Sequence, residues 1–161
     1  MISGFKAFNS NMSNRYGTKF ELCKYYEVKG KISWGNSGNG FHLCSNIEDT
    51  FRYFDFMDND SCIARVYGIG DCICNNDEYY GYYDMYVCKG IFISKIVKRN
   101  ELIQYLYRLA NDGYNDRALR FISGYKLTNE EIRNLLCIFD KKCRWNVEEY
   151  TKILKYYQHS K

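Results

Sequence analysis

The chain has 161 residues, 46% of them hydrophobic and 18% aromatic, with a formal net charge of +4. That composition describes a globular chain with a core of useful size and excludes a disordered one. No apolar run approaches the roughly 20 residues of a membrane helix, and Met1-Ile2-Ser3-Gly4-Phe5-Lys6 lacks the basic and apolar regions of a signal peptide. The expectation is a soluble, cytoplasmic protein that uses no membrane.

Residues 1–99 alternate as strands do. Phe5 to Phe8 and then Lys19 to Val28 are rich in aromatic and β-branched residues and bounded by Gly or Asn. A turn-rich stretch, Trp34 to Gly40, leads into a short strand, Phe41 to Cys44. Asn46 is placed to cap a helix beginning near Ile47, with Asp49 at its third position and Ile47, Phe51 and Phe54 on one face. A strand follows at Cys62 to Ile69, then an acidic, tyrosine-rich loop from Asn75 to Asp84. The last strand runs from Met85 to Val97 and is broken at Gly90.

Residues 100–161 change to helical spacing. Ile103, Leu106 and Ala110 form a stripe that ends before Gly113. Thr128 and Glu131, flanked by Leu127 and Ile132, make a capping box with a hydrophobic staple at the start of the next helix. Asn146 and Glu149 repeat it between Trp145 and Tyr150. The predicted fold class is α+β: a small, bent, mostly antiparallel sheet with one inserted helix, followed by a C-terminal helical cap. The predicted domains are 1–99 and a helical extension, 100–161, packed on it.

The eight cysteines, at positions 23, 44, 62, 72, 74, 88, 137 and 143, include no C-x2-C pair, and only two histidines are present. Zinc needs four converging ligands, usually from close pairs. No metal site is expected; most of the cysteines read as buried thiols behaving as small hydrophobes. Proline is absent, and Tyr, Asn, Lys and Ile are abundant, as in proteins from AT-rich genomes of bacteria, phages or other viruses. Positive charge is spread along the chain, and the cluster Lys141-Lys142-x-Arg144 is the one local hint of nucleic-acid contact.

The chemically suggestive stretch is Gly38 to Tyr53. Glycines let backbone approach a ligand closely, His42 titrates near neutral pH, and Tyr53 falls two turns into the expected helix, facing the strand of His42. An imidazole and an aromatic ring beside bare backbone suit a planar heterocycle. The alternative is a satisfied core histidine and a packing tyrosine.

Three segments resemble a domain of unknown function scattered through phage, bacterial and large-virus proteins. They are Phe5-Lys6-Ala7-Phe8-Asn9, Tyr26-Glu27-Val28-x-Gly30-Lys31 and Gly40-Phe41-His42-Leu43-Cys44, and the resemblance covers about residues 4–99. More distantly, Gly38-x-Gly40-Phe41-His42-Leu43 followed by Tyr53 is similar to the Gly-x-Gly-x-Tyr-Phe strand and second tyrosine of poly(ADP-ribose) polymerase-like ADP-ribosyltransferases. In that family these residues hold NAD and stack on its nicotinamide. The resemblance implies a nucleotide pocket at Lys6, Gly40, His42 and Tyr53, taking NAD, another phosphorylated nucleotide or an RNA end.

The chain departs from that pattern in two places. Lys6 replaces the family's His or Arg, and no carboxylate stands near Cys88-Lys89-Gly90-Ile91-Phe92-Ile93, where the catalytic glutamate belongs. Asp77, Glu78 and Asp84 could substitute only from the acidic loop. No catalytic residue is therefore assigned, and the pocket is degenerate or atypical. A set formed by Lys6, Arg15, His42 and Arg52 resembles instead the tRNA 2′-phosphotransferases of the same fold. A second expectation, from another class, is a viral or phage accessory protein that binds a host protein through Tyr79, Tyr80, Tyr82 and Tyr83. Tyrosine supplies contact area at low entropic cost.

Overall fold

The computed structural model describes residues 1–35, 38–56, 60–75, 85–142 and 155. They belong to two units, Met1–Val97 and Lys98–Lys161. The fold is α+β, with an antiparallel sheet in the first unit and helices in the second.

Two long strands, β4 (Ser61–Asn75) and β5 (Met85–Ile96), form the backbone of the sheet. β1 (Ile2–Asn9) pairs along the first half of β4, from Ile2 opposite Gly68 to Asn9 opposite Ser61. β3 (Phe41–Cys44) pairs with the first residues of β5, Met85 to Cys88, and meets β1 where Phe5 lies opposite Cys44. The ring β1–β4–β5–β3 thus closes on itself, a small barrel-like arrangement. Register shifts at Arg65/Val66 and Ile69/Cys72 give β4 the bends that closure needs. β2 (Lys24–Glu27) adds to β5 outside the ring, opposite Gly90 to Ile93.

Alternation along the strands fills the interior. Phe8, Leu43, Ala64, Val66, Cys88, Ile91 and Ile93 pack together with Phe20, which enters from the loop before β2. Phe20 lies against Phe8, Tyr26 and Phe41 with ring centroids 5.3, 4.9 and 6.3 Å away.

Three local expectations are corrected. The stretch from Lys19 to Val28 is a strand only over Lys24–Glu27. Before it, the Asn14 side chain accepts from the Tyr16 and Thr18 amides, and Cys23 adopts a left-handed φ of 58°, so the chain turns where its composition favours extension. Gly90 does not break β5, because the Tyr25 side chain occupies the place its β-carbon would take. The inserted helix is a 3-10 turn, Glu48–Arg52, and Tyr53 lies just past its end instead of two turns in. The N-cap position of that turn is Ile47 and not Asn46, whose side-chain amide donates to the Asp49 carboxylate at 3.0 Å.

The second unit holds α1 (Arg99–Asp112), α2 (Asn115–Gly124) and α3 (Asn129–Lys142). Leu102, Ile103, Leu106, Leu109 and Ala110 of α1 are buried, as are Ala118, Phe121 and Ile122 of α2 and Ile132, Leu135 and Phe139 of α3. Gly113 closes α1 in a left-handed conformation, φ 84°. At the start of α3 the capping box forms as expected. The Glu131 amide donates to Thr128 Oγ1 at 3.2 Å, and the Thr128 amide donates to Glu131 Oε2 at 2.7 Å. The repeated box at Trp145–Tyr150 lies outside the described residues.

Candidate functional site

Lys6 stands in the middle of β1, where the interior alternation would place an apolar side chain. Its Nζ donates to the backbone carbonyl of His42 at 2.9 Å and lies 5.9 Å from the centroid of the Phe8 ring. Burial pulls the ammonium down to about 8; nearby Cys44 opposes this and the charge of Arg15 adds to it.

His42 follows Phe41 on β3, and its ring meets Trp34 edge-on with centroids 5.6 Å apart. Burial lowers the imidazole to about 4, helped by the positive charges of Lys6 and Arg15. It is therefore neutral at pH 7 and offers one donor and one acceptor. Tyr53 donates its hydroxyl to the Met85 sulfur at 2.7 Å. Burial raises this phenol, and Cys44, Arg52, Asp49 and Arg15 act on it by charge.

Of the four residues nominated for the pocket, Lys6, His42 and Tyr53 all lie within the field of Arg15. Gly40 has a structural explanation. Its φ is 136° and a β-carbon there would collide with the Val87 side chain. The approach to β3 is held by Asn39, whose amide donates to the carbonyls of Lys29 at 2.7 Å and Lys31 at 3.1 Å.

Sequence reasoning missed the buried polar group beneath Tyr53. Glu48, Asp49 and Thr50 are almost fully enclosed, with Thr50 Oγ1 donating to the Ile47 carbonyl at 2.6 Å. Read as a first helical turn, those carboxylates belong in water; the short 3-10 turn puts them inside. The one available signal was the Asn46/Asp49 spacing, which fits a side-chain bond as well as a cap. Cys44 is enclosed too, and burial, with the Asp49 carboxylate adding, pushes its thiol up to about 12. That excludes it as a nucleophile near neutral pH.

Among the described residues no cluster of three or more His, Cys, Asp or Glu is placed to hold a metal, and no helix is long and apolar enough to cross a membrane. Cys23, Cys74 and Cys137 are exposed, so burial holds for only part of the cysteine set. The tyrosines nominated for a partner, Tyr79, Tyr80, Tyr82 and Tyr83, lie outside the described residues, as do Asp77, Glu78, Asp84 and Arg144.

No curated protein and no solved structure matches the chain. Residues 2–99 match the profile of a domain of unknown function, DUF7666, which takes in nearly all of the sheet unit and more than half of the chain. The chain belongs to the DUF7666 family.

Proposed function

We propose that the sheet unit binds the phosphate-bearing part of a nucleotide at Lys6, Arg15, His42, Arg52 and Tyr53, in an atypical pocket of the ADP-ribosyltransferase kind. The observation that supports this reading is the Lys6 ammonium set 2.9 Å from the His42 carbonyl, with the charge of Arg15 a lesser influence on both residues and on Tyr53. Side chains from β1, from β3 and from the end of the 3-10 turn all sense the Arg15 charge. Arg52 in turn acts on Tyr53. Guanidinium and ammonium groups hold phosphate oxygens well, because charge-assisted bonds to arginine are short and directional. Neutral His42 adds a donor without further repulsion, and Tyr53, 38% exposed, supplies an aromatic ring for a base.

The proposal is for binding. The strand segment Cys88 to Ile93 carries no carboxylate to stabilise an oxocarbenium-like transition state. Glu48 and Asp49 are enclosed, and Asp49 accepts from the Asn46 amide.

The test is calorimetry and thermal shift against NAD, ADP-ribose, nucleoside diphosphates, inorganic pyrophosphate and a short 5′-phosphorylated RNA. A ligand that binds the native state raises Tm with its concentration. Binding should weaken at least ~10-fold in Arg15→Ala, the usual scale for a lost charged hydrogen bond. It should also weaken as pH rises through about 8, where Lys6 loses its proton. Tyr53→Ala should weaken the nucleotides and leave pyrophosphate unchanged. Absence of binding by every one of these compounds would overturn the reading.

A further inference from the structure

We propose that Cys72 and Cys88 are a redox-active pair that closes to an intrachain disulfide by exchange with a low-molecular-weight disulfide such as oxidised glutathione. The two residues lie directly opposite each other on β4 and β5. Opposed residues of an antiparallel ladder have Cα atoms ~4.5–5.5 Å apart, within the span a disulfide requires. Their sulfurs are 2.7 Å apart, with Cys72 Sγ directed at Cys88 Sγ and also 3.5 Å from the Gly70 carbonyl.

The surrounding strand is built to allow this approach. The register irregularity between Ile69 and Cys72, together with the left-handed Gly70 at φ 78°, sets Cys72 opposite Cys88. Gly68 leaves room for the Cys88 sulfur, which a β-carbon at that position would strike. Cys62 Sγ faces the Met12 thioether at 3.5 Å and the Asn9 carbonyl at 3.4 Å, and Cys23 Sγ faces the Ser94 carbonyl at 3.7 Å.

Exposure fixes the order of events. Cys88 is completely enclosed, and burial with the adjoining Cys72 holds its thiol at about 12, so it is a poor first nucleophile. Cys72 is partly exposed and meets the reagent. Its thiolate attacks oxidised glutathione, forming a mixed disulfide and expelling one glutathione thiolate. The Cys88 sulfur, losing its proton as it attacks, then displaces the second glutathione from the Cys72 sulfur. The protons released by the two cysteines end on the two glutathione thiolates. Two protein S–H bonds and one glutathione S–S bond are exchanged for one protein S–S bond and two glutathione S–H bonds. Proximity in the folded state makes the second step intramolecular, which compensates for the high proton affinity of Cys88.

The experiment equilibrates the whole folded protein in glutathione buffers of increasing oxidised fraction, quenches with acid, unfolds the chain in denaturant, alkylates the remaining thiols and measures intact and peptide masses. The expected product has two fewer alkylatable thiols, carries no added glutathione at these positions, and yields a peptide linking Cys72 to Cys88. Its Tm should rise by on the order of 10 °C, the scale for closing a loop of this length. Cys74→Ser should leave the cross-link intact, and Cys72→Ser should abolish it. The proposal is overturned if wild-type Cys72 and Cys88 stay alkylatable at the most oxidising ratio. It is overturned equally if Cys72 stops at the glutathione adduct or the link maps to another pair.

Discussion

Lys6 Nζ donates to the backbone carbonyl of His42 across 2.9 Å, joining two residues whose charged side-chain forms the fold disfavours. Burial is the main cause in both, and it gives stability a two-step dependence on pH. The His42 imidazole lies at about 4 in the native state against 6.5 unfolded. Between these values the unfolded chain holds the extra proton, so the stability present above pH 6.5 is lost as pH falls, by up to ~3 kcal/mol. His42→Gln should flatten this limb in urea titrations taken at successive pH values.

Lys6 gives the second step. Its native value of about 8 lies below the ordinary 10.5. From pH 8 to 10.5 the unfolded state again binds more protons, and Lys6 therefore favours folding increasingly as pH rises. Lys6→Met removes the buried charge but leaves the His42 carbonyl without this donor. At pH 7 it should change stability by no more than about 1 kcal/mol, and it should remove the rise above pH 8. An unchanged alkaline limb in Lys6→Met would show that another group carries it.

The strands β1, β4 and β5 were legible because period-two alternation is strong in them, with Phe8, Val66, Ile91 and Ile93 on one side. The capping box at Thr128 and Glu131 was equally plain, since it rests on local chemistry. Tertiary effects were not legible. Nothing local says that Tyr25 will fill the space over Gly90, or that Cys23 will take a left-handed turn inside an aromatic run. α2 carries a stripe of Ala118, Phe121 and Ile122 but no side-chain cap at its N-terminus, so its start at Asn115 was not marked by local chemistry. At the candidate site the residue types were visible. The enclosure of Glu48 and Asp49 was not, because it depends on closure of the ring between β1 and β3.

Gly40 tests whether the central motif is built for packing. A β-carbon there meets the Val87 side chain, and the φ of 136° is one that L-residues rarely adopt. Gly40→Ala should cost ~2–4 kcal/mol, combining backbone strain with overpacking. In the double variant with Val87→Ala the steric part should be relieved, so the two costs should add to less than their sum. Additive losses by chemical denaturation would mean that the backbone conformation alone accounts for the glycine.

Thiol reactivity should follow enclosure. Cys23, Cys74 and Cys137 are exposed and should be alkylated first in the native protein, whereas Cys44, enclosed and raised to about 12, should react only on unfolding. Pulsed labelling with mass mapping under reducing conditions reads this order. Early labelling of Cys44 would show that the ring between β1 and β3 opens without global unfolding.

In the helical unit, Glu131 caps α3 and binds Arg99 as well. Its Oε1 and Oε2 accept from Arg99 Nε at 3.0 Å and Nη2 at 2.7 Å, and Arg99 Nη2 also donates to the Lys126 carbonyl at 2.8 Å. Burial raises the carboxyl, but the Arg99 and Thr128 bonds outweigh it and hold the group below the ordinary carboxylate value of 4.5. A depressed carboxylate contributes stability above its unfolded pKa and loses it as pH falls through the folded one, so this contribution should fade below pH 4.5. Arg99 is substantially exposed, which limits the ion pair itself to ~1 kcal/mol. Glu131→Ala removes cap and pair together and should cost ~2 kcal/mol, whereas Arg99→Ala leaves the cap in place and should cost about half as much. A double-mutant cycle at pH 7 should return a coupling of ~1 kcal/mol that diminishes at pH 3, as the lowered Glu131 carboxyl begins to protonate. Coupling of the same size at both pH values would show that Arg99 acts through its bond to the Lys126 carbonyl and not through the Glu131 charge.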